Sequence, residues 1–156
     1  MKKVFIYADG ACKGNPGAGG YGVVLKHNNN MKEIKGAESN TTNNKMELTA
    51  AIIGLRTLKE PCDVTLISDS NYLIQGMIKW VNLWMKKDWK TYGKMPVKNR
   101  ELWEELVKLS KRHKIEWKWI KGHNGHVENE MADRLANKAI DELPTTDNLQ
   151  LATYNI

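Results

Sequence analysis

The order in which strand-like and helix-like patterns follow one another constrains the fold more than any single residue does. Three β-branched or aromatic-containing segments, at residues 4–8, 21–26 and 31–37, come first along the chain. From residue 43 to residue 140, helical patterns alternate with short strand patterns. A run of strands followed by helix–strand alternation predicts an α/β fold, in which a mixed sheet is flanked by helices and a site lies near strand ends.

The first helix has the clearest periodicity. Leu48, Ile52 and Leu55 recur at three- and four-residue steps within residues 43–59, and Pro61 ends the pattern. The remaining elements are predicted, in order, as a strand at 64–67, a helix at 70–81, a helix at 101–112, a strand at 115–120 and a helix at 127–140.

The length of 156 residues is that of a single domain. We expect this domain to span residues 1–143 and to be followed by a loosely ordered tail at 144–156, where the periodicity ends. No apolar run is long enough for a membrane helix, and the start of the chain has no pattern of a secretory signal, so we expect a cytoplasmic protein. Cys12 and Cys62 are too few for a disulfide framework and are expected as free thiols.

The charge of the chain favours an anionic partner. There are 24 Lys and Arg residues against 18 Asp and Glu residues, a net charge of +6. The stretch 79–100 has seven basic residues and one acid, Asp88, with Trp80, Trp84 and Trp89 interleaved. Nucleic acid is a reasonable partner for such a chain, although charge alone does not establish it.

Four carboxylates lie where a sheet edge would bring them together. Asp9 follows the first strand, which we expect to end there, Glu47 lies one turn into a helix, Asp69 follows a later strand, and Asp133 lies in the last helix. Carboxylate oxygens are the ligands of Mg²⁺, and a pair of such ions can promote phosphodiester hydrolysis. Each acid also has a purely structural interpretation. Asp9 would be a turn former and Glu47 the partner of an Asn44 helix cap, whereas Asp69 would cap a helix and Asp133 would be a solvated helix charge.

Taken together, these segments resemble the type 1 ribonuclease H family, the bacterial ribonuclease HI. The resemblance rests on four motifs in the family's order and spacing: Asp9-Gly10-Ala11-Cys12-Lys13-Gly14-Asn15-Pro16-Gly17, Thr41-Thr42-Asn43-Asn44-Lys45-Met46-Glu47-Leu48, Ser68-Asp69-Ser70, and Lys121-Gly122-His123 through Glu128-Asn129-Glu130 to Asp133. It implies a ribonuclease H-like fold with a five-stranded mixed sheet, three antiparallel strands followed by parallel ones. It also implies an endonuclease that hydrolyses the RNA strand of RNA–DNA hybrids without sequence preference.

The resemblance further implies the chemistry. Asp9, Glu47, Asp69 and Asp133 would bind Mg²⁺, with Mn²⁺ as a substitute, and the products would carry 5′-phosphate and 3′-hydroxyl ends. His123, in a glycine-flanked loop, would move protons, since it titrates near neutral pH. The alternative for His123 is a loop histidine bonded to the backbone. We expect a monomer with no obligate protein partner and no membrane contact.

Recognition of a hybrid requires short polar groups that read 2′-hydroxyls and basic groups that contact phosphates. By resemblance, the substrate-binding candidates are Cys12, Asn15, Thr42, Asn43, Asn44, Asn71, Lys86, Lys87 and Lys90. Turn or cap chemistry is the alternative for the asparagines. By resemblance, the basic stretch 79–100 forms a protrusion that contacts the hybrid beyond the cleavage site, and we call it the basic protrusion. Trp80 and Trp84 are four residues apart, so packing of the basic protrusion onto the body is as good an interpretation as stacking on substrate.

Two residues depart from the family pattern. Asn71 stands where glutamine is usual, and Asp88 places an acid in the basic protrusion. Two other functions are consistent with the motifs: another nuclease or polynucleotidyl transferase with the same acidic sheet, and a noncatalytic nucleic-acid-binding module. All four acids are present, and the stretch from Thr41 to Leu48 matches the ribonuclease pattern, which argues against both.

Overall fold

The computed structural model describes residues 1–122 and 125–144. Its single sheet has five strands in the order β3-β2-β1-β4-β5, with β1, β2 and β3 antiparallel and β4 and β5 parallel to β1. The strands are β1 (Lys2–Gly14), β2 (Gly17–His27), β3 (Asn30–Thr41), β4 (Cys62–Ser68) and β5 (Lys114–Trp119). The predicted five-stranded mixed sheet is therefore confirmed.

Five α-helices and one π-helical turn complete the described part of the chain. They are α1 (Asn43–Thr57), α2 (Asn71–Gln75), the π-helical turn (Gly76–Trp80), α3 (Val81–Lys86), α4 (Arg100–Ser110) and α5 (Val127–Asp141). None of the helices in 1–122 and 125–144 has the length and apolar character needed to cross a membrane. Cys12 and Cys62 are free, as expected.

Alternation along β2 places α1 and α5 on opposite faces of the sheet. Val23 packs towards α1, close to Gly54, whereas a Cβ on the neighbouring Gly22 would collide with the carbonyl oxygen of Ala132 in α5. Glycine at position 22 thus lets α5 approach the strand closely. The core between the sheet and the helices includes fully buried Ile6, Val23, Leu48, Leu55, Val64, Leu66, Leu73, Trp103 and Leu106.

The expectation that the first strand ends at Asp9 was wrong. β1 continues to Gly14, and its last pair with β2 joins Gly14 to Gly17. Only the parallel ladder with β4 stops early, at the pair Tyr7 and Ile67. The glycine-rich sequence stays extended because β2 supplies its backbone hydrogen bonds, which local propensity does not reveal.

The single helix expected at residues 70–81 is interrupted. The amide of Val81 donates to the carbonyl of Gly76, five residues earlier, which widens the helix into a π-turn. The Trp103 ring lies so close to Gly76 that a Cβ there would overlap it. Apolar spacing alone cannot distinguish a continuous helix from one with an inserted π-turn, because both keep Leu73, Ile74 and Met77 on the buried face.

The tryptophans of the basic protrusion pack against the body of the molecule. The Trp84 ring centroid lies 5.5 Å from that of Trp103, 5.9 Å from that of Trp80 and 6.3 Å from that of Trp89. Trp103 is fully buried and Trp89 is 9% exposed. The packing interpretation therefore describes the main contacts of these rings, which anchor the basic segment 79–100 to α4.

A candidate acidic active site

Asp9 and Asp69 are brought together by strand register. The parallel ladder between β1 and β4 pairs Tyr7 with Ile67, and each aspartate lies two residues beyond its member of that pair. Side chains two residues apart in extended chains point to the same face, so the two carboxylates share one end of the ladder. Asp9 lies opposite Gly22 within the antiparallel ladder, so it is not a turn residue.

Glu47 reaches the same point from α1. The amide of Gly10 donates a hydrogen bond to its Oε1, and the Ser70 side chain also hydrogen-bonds its carboxylate. The N-cap of α1 is Thr42, whose hydroxyl accepts from the amide of Lys45 at 3.2 Å. The alternative in which Glu47 merely completes a cap at Asn44 is therefore wrong.

Carboxylate oxygens of Asp9, Glu47 and Asp69 all lie within 4.8 Å of one another. Asp133, from the second turn of α5, lines the same cleft of about 410 Å³ and lies near enough to Asp9 to contribute to the raised pKa of that carboxyl group. Asn137 orients Asp133 by donating to its Oδ1 at 3.3 Å and to its carbonyl oxygen at 3.0 Å. Asp133 is thus part of the cleft and not a fully solvated helix charge. The structure brings all four predicted acids together.

Burial and mutual repulsion hold protons on this cluster. Burial, followed by the charges of Glu47 and Asp69, raises the pKa of Asp9 to about 11. Burial and the charge of Asp69 likewise raise the pKa of Glu47 to about 7, although hydrogen bonds from Asp9, Gly10 and Ser70 oppose the rise. Asp9 and Glu47 are only 4% exposed each. A divalent cation would relieve the repulsion, and the all-oxygen donor set is the type that Mg²⁺ and Mn²⁺ accept.

Asp69 is held by contacts that the sequence patterns did not reveal. Trp119, at the end of β5, donates from Nε1 to the carbonyl oxygen of Asp69 at 3.1 Å. Gly122 lies against the Asp69 carboxylate, where a Cβ would come within 2.6 Å of Oδ2. The N-cap of α2 is Ser70, whose hydroxyl accepts from the amide of Leu73, so Asp69 does not itself cap the helix. The cap pattern of Ser70 is local, but the bond from Trp119 depends on tertiary contact.

Three of the predicted substrate-binding residues, Asn43, Asn44 and Asn71, line the acidic cleft and are exposed. Tyr72 also lines it, which sequence analysis missed because its apolar ring suggested only helix packing. The Tyr72 hydroxyl accepts hydrogen bonds from Asn99 at 3.1 Å and from the Trp103 indole at 3.2 Å. Tyr72 therefore connects the cleft to the aromatic cluster formed by Trp80, Trp84, Trp89 and Trp103.

The other short polar candidates lie beside the cleft. The Asn15 side chain accepts from the amide of Asn43 at 3.1 Å, which joins the β1–β2 turn to the start of α1. The Cys12 thiol donates to the carbonyl oxygens of Gly17 and Thr41, at 3.6 and 3.5 Å. Thr42 serves as the helix cap described above.

The basic candidates Lys86, Lys87 and Lys90 are exposed at the end of α3 and in the turn after it. They do not line the acidic cleft, so any substrate that reaches both must extend along the surface. The remaining catalytic candidate, His123, lies outside the described residues. Its neighbour Gly122 contacts Asp69, which ties the beginning of that loop to the acidic cleft.

Comparison with known proteins gives a consistent family assignment. The RNase H family model matches residues 1–141. A ribonuclease H of Chromohalobacter salexigens is 57% identical over 143 residues, covering 92% of this chain and 87% of that protein. A ribonuclease H of Pelobacter propionicus is 55% identical over 140 residues, covering 90% of this chain and 86% of the relative.

Comparison with solved structures gives the same family assignment. The crystal structure of LC9-RNase H1, a type 1 RNase H with the type 2 active-site motif, superposes with a TM-score of 0.82 at 33% identity, covering 90% of this chain and 73% of that one. LC11-RNase H1, solved in complex with an RNA/DNA hybrid, has a TM-score of 0.66 at 25% identity and covers 89% of this chain and 97% of that one.

Proposed function

This chain belongs to the RNase H family, and we propose that it is an endonuclease that hydrolyses the RNA strand of RNA–DNA hybrids without sequence preference. The observation that carries the proposal is the meeting of Asp9, Glu47 and Asp69, from three separate elements, within 4.8 Å. Burying several carboxylates together lowers the stability of the folded protein. A metal-dependent site for phosphodiester hydrolysis explains why the chain nevertheless places them there.

We assign Asp9, Glu47, Asp69 and Asp133 to a site for Mg²⁺, with Mn²⁺ as a substitute. When bound, such ions lower the pKa of an attacking water and neutralise charge that develops on the phosphate and leaving oxygen. The protein's part is to position the carboxylates. Gly10 bonds to Glu47, Trp119 bonds to the backbone of Asp69, and Asn137 bonds to Asp133. Setting these four acids aside leaves 14 (18 − 4) against 24 basic residues, so the surface attracts a polyanion.

His123 is assigned to proton transfer, either from the attacking water or to the departing 3′-oxygen. Attack on the phosphorus from the side opposite that oxygen leaves the phosphate on the 5′ end of one product and a hydroxyl on the 3′ end of the other. One chain supplies all these groups, so the proposal needs no second subunit and describes a monomer with residues 1–143 as the catalytic domain.

We propose that Asn43, Asn44 and Asn71 read the minor groove next to the acids, where 2′-hydroxyls distinguish the RNA strand. Cys12 and Asn15 would also face the minor groove, and Asn15 and Thr42 would hold a phosphate of the DNA strand. The solved complex of LC11-RNase H1 with an RNA/DNA hybrid supports this class of substrate. Exposed Lys86, Lys87 and Lys90 would contact phosphates farther along the duplex.

The test uses an end-labelled RNA–DNA hybrid with matched RNA–RNA and DNA–DNA duplexes, in Mg²⁺ and then in excess chelator. The expected result is internal cleavage confined to the RNA of the hybrid and stopped by chelation. Mass analysis of the fragments should find 5′-phosphate and 3′-hydroxyl ends. Binding without cleavage in either metal would favour a noncatalytic module, and shortening from an end would favour another nuclease of the same fold.

A further inference from the structure

The tip of the basic protrusion is a small hairpin formed by residues 89–97. The amide of Val97 donates to the carbonyl of Trp89 at 3.0 Å, and that of Thr91 donates to the carbonyl of Met95 at 2.7 Å. The Thr91 hydroxyl accepts from the amide of Met95 at 3.2 Å. Trp89 and Val97, at its base, are buried. Backbone hydrogen bonds, the Thr91 side chain and the buried residues at its base therefore stabilise the tip hairpin.

This hairpin presents Tyr92 almost completely to solvent. The side chain is 96% exposed, more than any other exposed large hydrophobic residue in the described part of the chain. The ammonium group of Lys87 lies 5.8 Å from the centroid of its ring, and Lys90 and Lys94 are exposed on either side in sequence. An exposed aromatic ring costs free energy in water, and a rigid ring among cations is the arrangement that stacks on nucleic-acid bases.

The tip hairpin is connected to the acidic cleft through the aromatic cluster. Tyr72 lines the cleft, and centroid distances of 6.2 Å to Trp80, 5.9 Å from Trp80 to Trp84 and 6.3 Å from Trp84 to Trp89 lead to the hairpin base. This chain of contacts is shorter than one turn of a duplex, about 34 Å. If a hybrid extends from the cleft towards the protrusion and ends within about one turn of the cut site, that end lies near the tip hairpin.

Base pairing decides what Tyr92 can stack on. Inside a duplex both faces of each base are covered by neighbouring base pairs, whereas the bases of a single strand offer an open face. The Tyr92 ring with its neighbouring lysines would therefore take an unpaired base and the phosphates that flank it.

We propose that Tyr92 and Lys94, next to the duplex-contacting Lys87 and Lys90, form a stacking site for single-stranded nucleic acid that continues from the end of a hybrid. This inference rests on the proposed function, because it assumes that the hybrid lies across the acidic cleft. It adds a substrate class: hybrids that end in an unpaired tail are bound more tightly than blunt hybrids.

The test compares one hybrid duplex as a blunt form and with a tail of about eight nucleotides on each of its four ends in turn. Dissociation constants are measured by fluorescence anisotropy in chelator, and KM is measured separately in Mg²⁺. A tail of the same length without bases controls for the added phosphate charge. At least one base-containing tail should tighten binding by about fivefold or more beyond its abasic counterpart.

Variants assign the effect to the ring. Tyr92→Phe should keep the advantage of the base-containing tail, and Tyr92→Ala should lose it. Met95→Ala, which changes another exposed side chain of the same hairpin, is the matched control and should keep it. Equal binding of base-containing and abasic tails would overturn the stacking site, and so would equal weakening of blunt and tailed hybrids by Tyr92→Ala. Cleavage of blunt hybrids remains a separate test of the proposed function.

Discussion

The amide of Gly10 donates a hydrogen bond to Oε1 of Glu47, and this contact joins the central strand to the helix that supplies the second carboxylate. No side chain fits between them, because a Cβ on Gly10 would lie 2.5 Å from the backbone nitrogen of Glu47. The distance between β1 and α1 therefore sets the position of Glu47 relative to Asp9.

Gly10→Ala should push α1 away from β1 and displace Glu47. We expect the free energy of unfolding to fall by about 1–3 kcal/mol, as for an overpacked core, with loss of most of the turnover. Thermal or urea unfolding and hybrid cleavage rates measure the two effects. Gly93→Ala is the matched control, since nothing lies within 4 Å of a Cβ there. Equal stability and activity of the two variants would contradict this account of the Gly10 contact.

Asp9→Asn should abolish turnover while the fold is kept. It should also stabilise the metal-free protein at neutral pH by about 1–3 kcal/mol, because it removes a buried carboxyl group that must take up a proton on folding. Calorimetry in chelator and cleavage assays in Mg²⁺ test the two parts separately. An Asp9→Asn enzyme with a near-normal rate would overturn the metal assignment.

The stability of the metal-free protein should fall as the pH rises. The raised pKa values of Asp9 and Glu47 mean that the folded state binds more protons than the unfolded state above pH 4.5, so the free energy of unfolding decreases with pH. For Glu47 the loss extends from its ordinary pKa of 4.5 to about 7, and for Asp9 it continues towards 11. Saturating Mg²⁺ should flatten the dependence. Midpoints of thermal unfolding across pH, with chelator or metal, provide the measurement, and a rising midpoint in chelator above pH 5 would exclude this explanation.

The negative charge of Asp88 should weaken binding of substrate phosphates by the basic protrusion. Asp88 is exposed, and its φ of 54° is a left-handed conformation that asparagine also tolerates. Asp88→Asn should therefore tighten hybrid binding roughly two- to fivefold at low salt without backbone strain, and Asp88→Lys should tighten it further at some cost in stability. Dissociation constants and KM over a salt series measure the effect. Unchanged values at every salt concentration would dismiss it.

The sequence by itself determined the types of most elements and the identity of the four acids. Apolar spacing in α1 and α5 and β-branched runs in the strands are local signals, and they survive folding because each element buries one face. The strand–helix order was sufficient to predict the mixed sheet, and the family resemblance carried by the four motifs identified the four acids as a set before any contact was known.

Only the tertiary structure decided how those residues meet. The extension of β1 past Asp9, the packing of Trp103 against the π-turn at Gly76 and the Trp119 bond to Asp69 all depend on partners outside the local segment. Strand register and helix packing are set by the whole core, because a backbone group is satisfied by whichever neighbour packing brings to it. The acids could therefore be named from local patterns, whereas their separation, burial and raised pKa values could not.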